Sequence, residues 1–357
     1  MKVRTFMPLV AAALIAVLTL ALGAGAATAK SDVKAAPAAT AKFKVTLVTD
    51  IGGLDDRSFN FLANKGLQDA KKKLAISGSV FISKSDRDYV PNLTRAARNG
   101  SGLVVGVGFL MANAMAQVAK RFPKTKFAII DNSGLSAELK GKPTNVRGIL
   151  FKEQEAGYLV GYLAARQVVA HPVGGNTMIG AIGGLKIPPV DRFIAGYYAG
   201  AKKASAKVKV VHSYSQDFVD QAKCKEQALN QIANGAGVVF QVAGQCGLGV
   251  LSAAKEKKVF GIGVDADQGY LGPHVMTSAT KKVDVAVFKT IEAAKANGAK
   301  FRTNFNAIFT VKNGGVGYGK ISARIAPALK TAVENIRKQI ASGKIKVTAQ
   351  APPATTG

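Results

Sequence analysis

The chain has 357 residues, 48% hydrophobic and 20% charged. That is enough apolar side chain for one large domain or two ordinary ones, and it excludes intrinsic disorder for the bulk. Forty-nine basic residues against 21 acidic ones give a formal charge of +28, which favours anionic neighbours such as nucleic acid, phospholipid or wall polymer and says nothing of the fold.

In chain order, the first element is a processing segment. Lys2 and Arg4 precede an apolar run from Met7 to Leu22, and small residues follow to Ala27-Thr28-Ala29. A basic start, a short greasy middle and an A-x-A exit predict a secretory signal peptide over 1–29. The run dissolves into Gly and Ala and lacks the charged stop of a spanning helix. Residues 30–41 read as a flexible tether and 346–357 as a matching loose tail.

From Lys42 onward, short β-branched runs predict strands at 43–49, 79–83, 103–107, 127–130, 146–151, 178–182, 208–212, 238–242 and 259–264. Between them, apolar residues recurring every three or four positions predict helices at 60–74, 91–99, 111–121, 153–170, 192–205, 220–233, 249–257 and 283–297. Such alternation means βαβ units, hence an α/β fold with parallel sheets covered on both faces. Nine strands fit two doubly wound lobes better than one very broad sheet. The first lobe is expected over 42–150 and the second over 151–265, with 266–345 divided between them to complete both.

In open α/β sheets ligands sit beyond the carboxyl ends of the strands. Here those ends are polar: Asp50 to Asn60 after the first strand, Asp131-Asn132-Ser133-Gly134, Gly183-Gly184-Leu185-Lys186, Ala243-Gly244-Gln245-Cys246, and Asp265-Ala266-Asp267-Gln268. Asp50, Asp131 and Asp265 each follow a predicted strand, where a carboxylate can accept two hydrogen bonds from a bound small molecule. Asp55 or Asp56 before Ser58 can equally cap the next helix. Phe59 and Phe218 sit at loop tips among polar residues; each could pack on its own lobe, and together they could stack on a flat base.

These loops carry a resemblance. The set Asp50, Gly52, Gly53, Asp55, Asp56, Ser58, Phe59 and Asn60, then Gly106-Val107-Gly108-Phe109, Phe127 to Asp131, Glu155 to Ala165, Arg192 to Gly196, Val264 to Gln268, Thr277 to Lys281 and Gly314 to Gly317 resembles the basic membrane protein family over nearly the whole mature chain. The resemblance implies a type I periplasmic-binding-protein-like fold with a hinge, and a substrate-binding protein for an ABC importer, with purine nucleoside receptors among the relatives. It implies ligand-binding roles for Asp50, Asp131 and Asp265, an aromatic clamp of Phe59 and Phe218, and Lys281 as a further polar contact. Asn60 and Asp131 are expected at the base edge, Asp265 with Lys281 at the diol, and Asp50 with the Gly244 backbone closing the polar ring. This chain lacks the lipobox cysteine that most relatives use for anchoring, so an exported protein without that lipid is expected, held partly by its charge on anionic envelope polymers.

Catalysis has little support. His171, His212 and His274 show no metal-ligand spacing, and no G-x-S-x-G, H-E-x-x-H or phosphate-loop motif occurs. Gly106-Val107-Gly108 is followed by Met111 where a dinucleotide fingerprint wants its third glycine. No catalytic residue, metal or cofactor is therefore expected. The basic residues are scattered over separate helices and not gathered beside aromatics, which argues against nucleic acid as a partner. The expected partners are a nucleoside and an ABC permease; the alternatives are an exported nucleoside-cleaving enzyme and a receptor for another solute such as a sugar or an autoinducer. In an oxidising compartment Cys224 and Cys246, on a helix and in the loop after the next strand, are expected to pair.

Overall fold

The computed structural model describes residues 42–296, 301–349 and 352. The predicted signal peptide and tether, and the predicted tail beyond 349 except Pro352, lie outside the described residues.

The chain begins with β1 (Lys44–Val48), α1 (Phe59–Lys73), β2 (Ser77–Phe81), α2 (Tyr89–Arg98), β3 (Leu103–Gly106), α3 (Ala112–Arg121), β4 (Lys126–Ile130) and β5 (Val146–Phe151). It continues through α4 (Glu153–Ala170), β6 (Met178–Gly183), α5 (Pro188–Ala204), β7 (Lys209–Tyr214), α6 (Gln221–Ala233), β8 (Ala236–Val242), α7 (Gly247–Glu256), β9 (Phe260–Asp265) and β10 (Val275–Lys281). Helix α8 (Val283–Lys295), β11 (Phe305–Phe309), β12 (Val316–Tyr318) and α9 (Pro327–Ala341) complete it. One six-stranded sheet has the order β11-β5-β4-β3-β1-β2 and the other β12-β10-β9-β8-β6-β7. All pairings are parallel except β10 with β12. The main chain passes between the sheets three times: after β5, after β10, and between β11 and β12.

Alternation along the strands buries both faces of each sheet. Val45 and Leu47 of β1, with Leu103 and Val105 of β3, join one core, while Val48 and Val104 join another under α2 and α3. In the second sheet Val238 and Phe240 of β8 face the first of these cores, and Val239 faces Cys224 and Val250 on the opposite side. No described helix is long and apolar enough to cross a membrane.

Each predicted strand and helix has a counterpart; the ends of β5 and α4 agree and the others are shifted. Helix α5 starts at Pro188, well before the predicted 192, because prolines in the first turn forgo N–H groups that would be unpaired anyway. Strands β10, β11 and β12 and helix α9 are not among the predicted elements, although α9 has a helical period that buries Leu329, Val333, Ile336 and Ile340. Strand β10 is buried throughout yet contains Thr277, Ser278 and Thr280. Thr277 Oγ1 donates to Gly319 O at 3.0 Å and Ser278 Oγ accepts the Gln268 N–H at 2.9 Å, so tertiary partners satisfy two of these hydroxyls in the core.

Helices α4 and α5 meet along a glycine seam. A Cβ on Gly161 would stand 2.1 Å from Tyr197 O, and one on Gly200 would stand 2.0 Å from Tyr158 O. The two backbones therefore touch where only glycine fits. Alanine gains about 1 kcal/mol of helix propensity over glycine, but overpacking against immovable backbone costs about 1–3 kcal/mol. Gly161→Ala is expected to lower stability in denaturant titrations; an unchanged or raised midpoint would show that the seam yields.

Candidate functional site

The carboxyl ends of strands from both sheets meet at a cavity of about 620 Å³, counting its open mouth. Asp50 and Ile51 follow β1, Gly108 and Phe109 follow β3, and Asp131 follows β4 on one side. On the other, Pro189 and Val190 come after β6, Phe218 after β7, Gly244 and Gln245 after β8, Asp265 ends β9 and Lys281 ends β10. All eight residues singled out from the sequence, Asp50, Phe59, Asn60, Asp131, Phe218, Gly244, Asp265 and Lys281, line this one cavity.

The turn before α1 is built around Asp56. Its Oδ1 accepts N–H groups of Ser58 and Phe61 at 3.0 Å, and its Oδ2 accepts the Asn60 N–H at 2.7 Å. A carboxylate capping the first turn satisfies donors that a helix leaves free. It also sets Phe59 and Asn60 at the cavity wall. Asn60 is partly spent in this frame: its Oδ1 accepts the Asp50 N–H at 2.9 Å and its Nδ2 donates to Asp56 at 3.1 Å.

Asp131 and Asp265, at equivalent ends of β4 and β9, both adopt left-handed backbone, with φ of 68° and 59°. Asp tolerates this region better than most residues, and such turns cost about 1–3 kcal/mol unless the surroundings hold them. Here both carboxylates reach the cavity. Asp265 Oδ2 accepts the Ser58 hydroxyl at 2.8 Å across the two sheets.

Lys281 lines the cavity together with Asp265 and is itself held by other carboxylates. Its Nζ lies 2.6 Å from Asp131 Oδ1, 2.7 Å from Asp131 Oδ2 and 3.0 Å from Glu153 Oε1, and Glu153 in turn meets Arg192 at 2.7 Å. Lys281 thus holds Asp131 by both oxygens and is hydrogen-bonded there, not to Asp265. Sequence reasoning did not single out Glu153, and it quoted Arg192 only within a family motif without a role; they sit in helices α4 and α5, and only their packing shows the pairing. Lys281 is 2% exposed and Glu153 fully buried. Burial draws the Lys281 ammonium down, but the charges of Asp131, Glu153 and Asp265 outweigh it and leave its pKa raised. Burial pushes the carboxyls of Asp265 to about 7 and Asp50 to about 6; it also raises Asp131, against the pull of Lys281 and with the push of Glu153.

The apolar wall has its own supports. Phe59 lies 5.0 Å from Lys281 Nζ at its ring centroid. A Cβ on Gly184 would fall 2.3 Å from the Phe218 ring, so glycine there leaves room for the ring. The Phe218 carbonyl accepts the Cys246 N–H at 3.0 Å. Cys246 is disulfide-bonded to Cys224 on α6, with Cα atoms 5.6 Å apart, as expected from the sequence. The bridge thereby ties α6 to the loop that carries Gly244 and Gln245 and steadies the Phe218 loop. Among the described residues no group of three or more His, Cys, Asp or Glu is placed to hold a metal ion. His212 packs edge-on between Tyr198 and Tyr214, away from the cavity.

Residues 43–351 match the family described as ABC transporter substrate-binding protein PnrA-like. The chain belongs to this family. It is 36% identical over 326 residues, 85% of this chain and 88% of the relative, to the ABC transporter nucleoside-binding protein BmpA of Lactococcus lactis subsp. cremoris. It is 35% identical to basic membrane protein B of Borreliella afzelii, over 70% of this chain and 72% of that one. Among solved structures, an ABC transporter solute-binding protein from Aeropyrum pernix K1 superposes with a TM-score of 0.77 at 28% identity, covering 86% of this chain and 94% of that one. The family is a substrate-binding one, and its fold is that of periplasmic-binding-protein-like solute-binding proteins.

Two outcomes follow from this geometry. Lys281→Met would leave Asp131 and Glu153 facing each other in the interior, where breaking a buried pair costs about 3–5 kcal/mol. Without the cation the folded-state Asp131 pKa rises further above its unfolded value, so stability is lost as pH rises through that interval. Denaturant unfolding should therefore show a larger deficit for the variant at pH 8 than at pH 5; an equal deficit at both would place the loss in packing instead. For the bridge, thiol labelling of denatured, unreduced protein should modify neither Cys224 nor Cys246, and labelling of both would disprove it.

Proposed function

We propose that the protein is an extracytoplasmic receptor that captures a purine nucleoside in the cavity and delivers it to an ABC importer. The observation that carries this reading is the joint lining of one cavity by two phenylalanines, Phe59 and Phe218, and by the carboxylates of Asp50 and Asp265. A flat base presents an apolar face suited to the rings, and stacking contributes about 1–3 kcal/mol per base. A ribose diol and ring N–H groups present donors suited to carboxylates.

The charge balance narrows the ligand further. Asp50, Asp56, Asp131, Asp265 and Glu153 crowd the site against two cations, Lys281 and Arg192. A phosphate would add negative charge to that excess, so a nucleoside suits the site better than a nucleotide. A simple sugar would leave the apolar wall uncovered. The family membership and the relative named as a nucleoside-binding protein support the same reading.

Two lobes built on the two sheets, joined by the three chain crossings, would close around the ligand as a hinge, and the Ser58 to Asp265 bond spans that closure. Such closure distinguishes loaded from empty receptor for a permease. No bond of the ligand is broken in this scheme. Export by the predicted signal peptide over 1–29, with electrostatic retention on anionic envelope polymers, completes the proposal.

Calorimetry with adenosine, guanosine, inosine, cytidine, adenine, ribose and a nucleoside monophosphate tests the reading. Purine nucleosides should bind and be recovered intact, while ribose and free adenine bind poorly. Asp265→Ala should weaken binding about tenfold or more, the loss expected when buried hydroxyls lose a partner worth about 1–3 kcal/mol. Asp267→Ala should change little, since Asp267 is exposed and bonds the Lys320 N–H at 2.9 Å outside the cavity. Binding of ribose alone, or of no nucleoside, would overturn the purine reading, and release of free base would favour an enzyme.

A further inference from the structure

Asp50 is held asymmetrically. Its Oδ1 accepts two hydrogen bonds, from the Tyr89 hydroxyl and from the Ile51 N–H at 2.8 Å. Its Oδ2 accepts none from the described residues and lies against Gly108, where a Cβ would come within 2.0 Å of it. Gly108 has φ of 108°, a backbone that side chains rarely adopt, so glycine at this position gives the carboxylate its place. Asp50 and Gly108 line the cavity, whereas Tyr89, the first residue of α2 and 2% exposed, is buried in the core and does not.

We propose that Tyr89 is a positioning residue for ligand recognition: its hydroxyl occupies Asp50 Oδ1, so that Oδ2 is left to accept a hydrogen bond from a donor group on the ligand. The proposal rests on the reading of the cavity as a ligand site and adds to it a requirement on the ligand, an N–H or O–H aimed at this oxygen.

The surrounding charges make that role necessary. Burial is the main influence on Asp50 and pushes its carboxyl up to about 6, with Asp131 after β4 and Asp56 in the turn before α1 adding repulsion. The hydroxyl of Tyr89 from α2 and the Ile51 N–H pull the other way. Asn60 of α1 accepts the Asp50 N–H, and Asp265 and Lys281 line the second sheet's side of the same cavity. A donor on the ligand favours the ionised carboxylate. Below the titration of Asp50 a proton must leave on binding, so affinity falls as the medium becomes more acid. Removing the Tyr89 donor raises the carboxyl further and moves that fall to higher pH.

Tyr89→Phe deletes the hydroxyl and keeps the ring that fills the core. Two measurements test the proposal. Carbon-13 NMR titration of the Asp50 carboxyl in ligand-free protein should show its midpoint moving up by half a pH unit or more in the variant. Affinity for the best-binding nucleoside of the calorimetric series should fall at least threefold at pH 6, with the deficit shrinking by pH 8. Asp50→Asn should remove this pH response, and adding Tyr89→Phe to it should then cost little. As a control, Tyr214→Phe deletes a hydroxyl that donates to Asp191 at 2.6 Å outside the cavity and should alter neither readout. An Asp50 midpoint unchanged by Tyr89→Phe, or a loss of affinity equal at all pH values, overturns the proposal. The NMR arm needs no ligand, so it decides the role of Tyr89 even if no nucleoside binds.

Discussion

The structure depends on a buried cation shared by carboxylates from different parts of the chain. Lys281 closes on Asp131 and Glu153, and Glu153 closes on Arg192, which joins the ends of β4 and β10 to the first turns of α4 and α5. Each charge in this chain is expensive to bury alone and tolerable only with its partners in place. The network therefore acts as an alignment constraint: the strand ends that frame the cavity cannot drift apart without stranding a charge. It also leaves the site with more carboxylate than cation, on which the proposed choice of a neutral, donor-rich ligand rests.

Around that constraint the site divides its work by chemistry. Carboxylates sit where strands end, aimed inward by left-handed turns at Asp131 and Asp265. The aromatic wall rests on backbone devices: the Asp56 cap places Phe59, and the Cys246 N–H and the space above Gly184 place Phe218. Polar groups that look available from their identity are often already engaged, as Asn60 is with Asp50 and Asp56. What remains free at the wall, Asp50 Oδ2 above all, is the part that a ligand can use.

The rigid seam between α4 and α5 and the glycine beside Asp50 follow one rule on different scales. Where backbone or carboxylate must approach backbone closely, a missing Cβ makes room, and the neighbour then holds its position by contact. The disulfide adds a covalent version of the same restraint at the Gly244 loop.

The family resemblance implied the ligand roles of the eight residues found at the cavity, Lys281 among them, while period and punctuation in the sequence by themselves determined the alternating α/β order, the two-sheet arrangement, the polar strand ends with Asp50, Asp131, Gly244 and Asp265, and the disulfide partners. These are local signals: β-branched runs, helical spacing and Asp or Gly immediately after a strand. The tertiary structure alone decided the rest. Strand β10 was hidden because its hydroxyls are satisfied by Gly319 and Gln268, distant partners that no local pattern shows. The pairing of Lys281 with Asp131 and Glu153 joins side chains separated by more than a hundred residues, and such pairings are set by which strand ends are neighbours in space. Tyr89 carried no signal in the sequence; only its hydroxyl's position on Asp50 shows the link to the cavity, because a hydrogen bond across an interior depends on packing that the order of residues does not display.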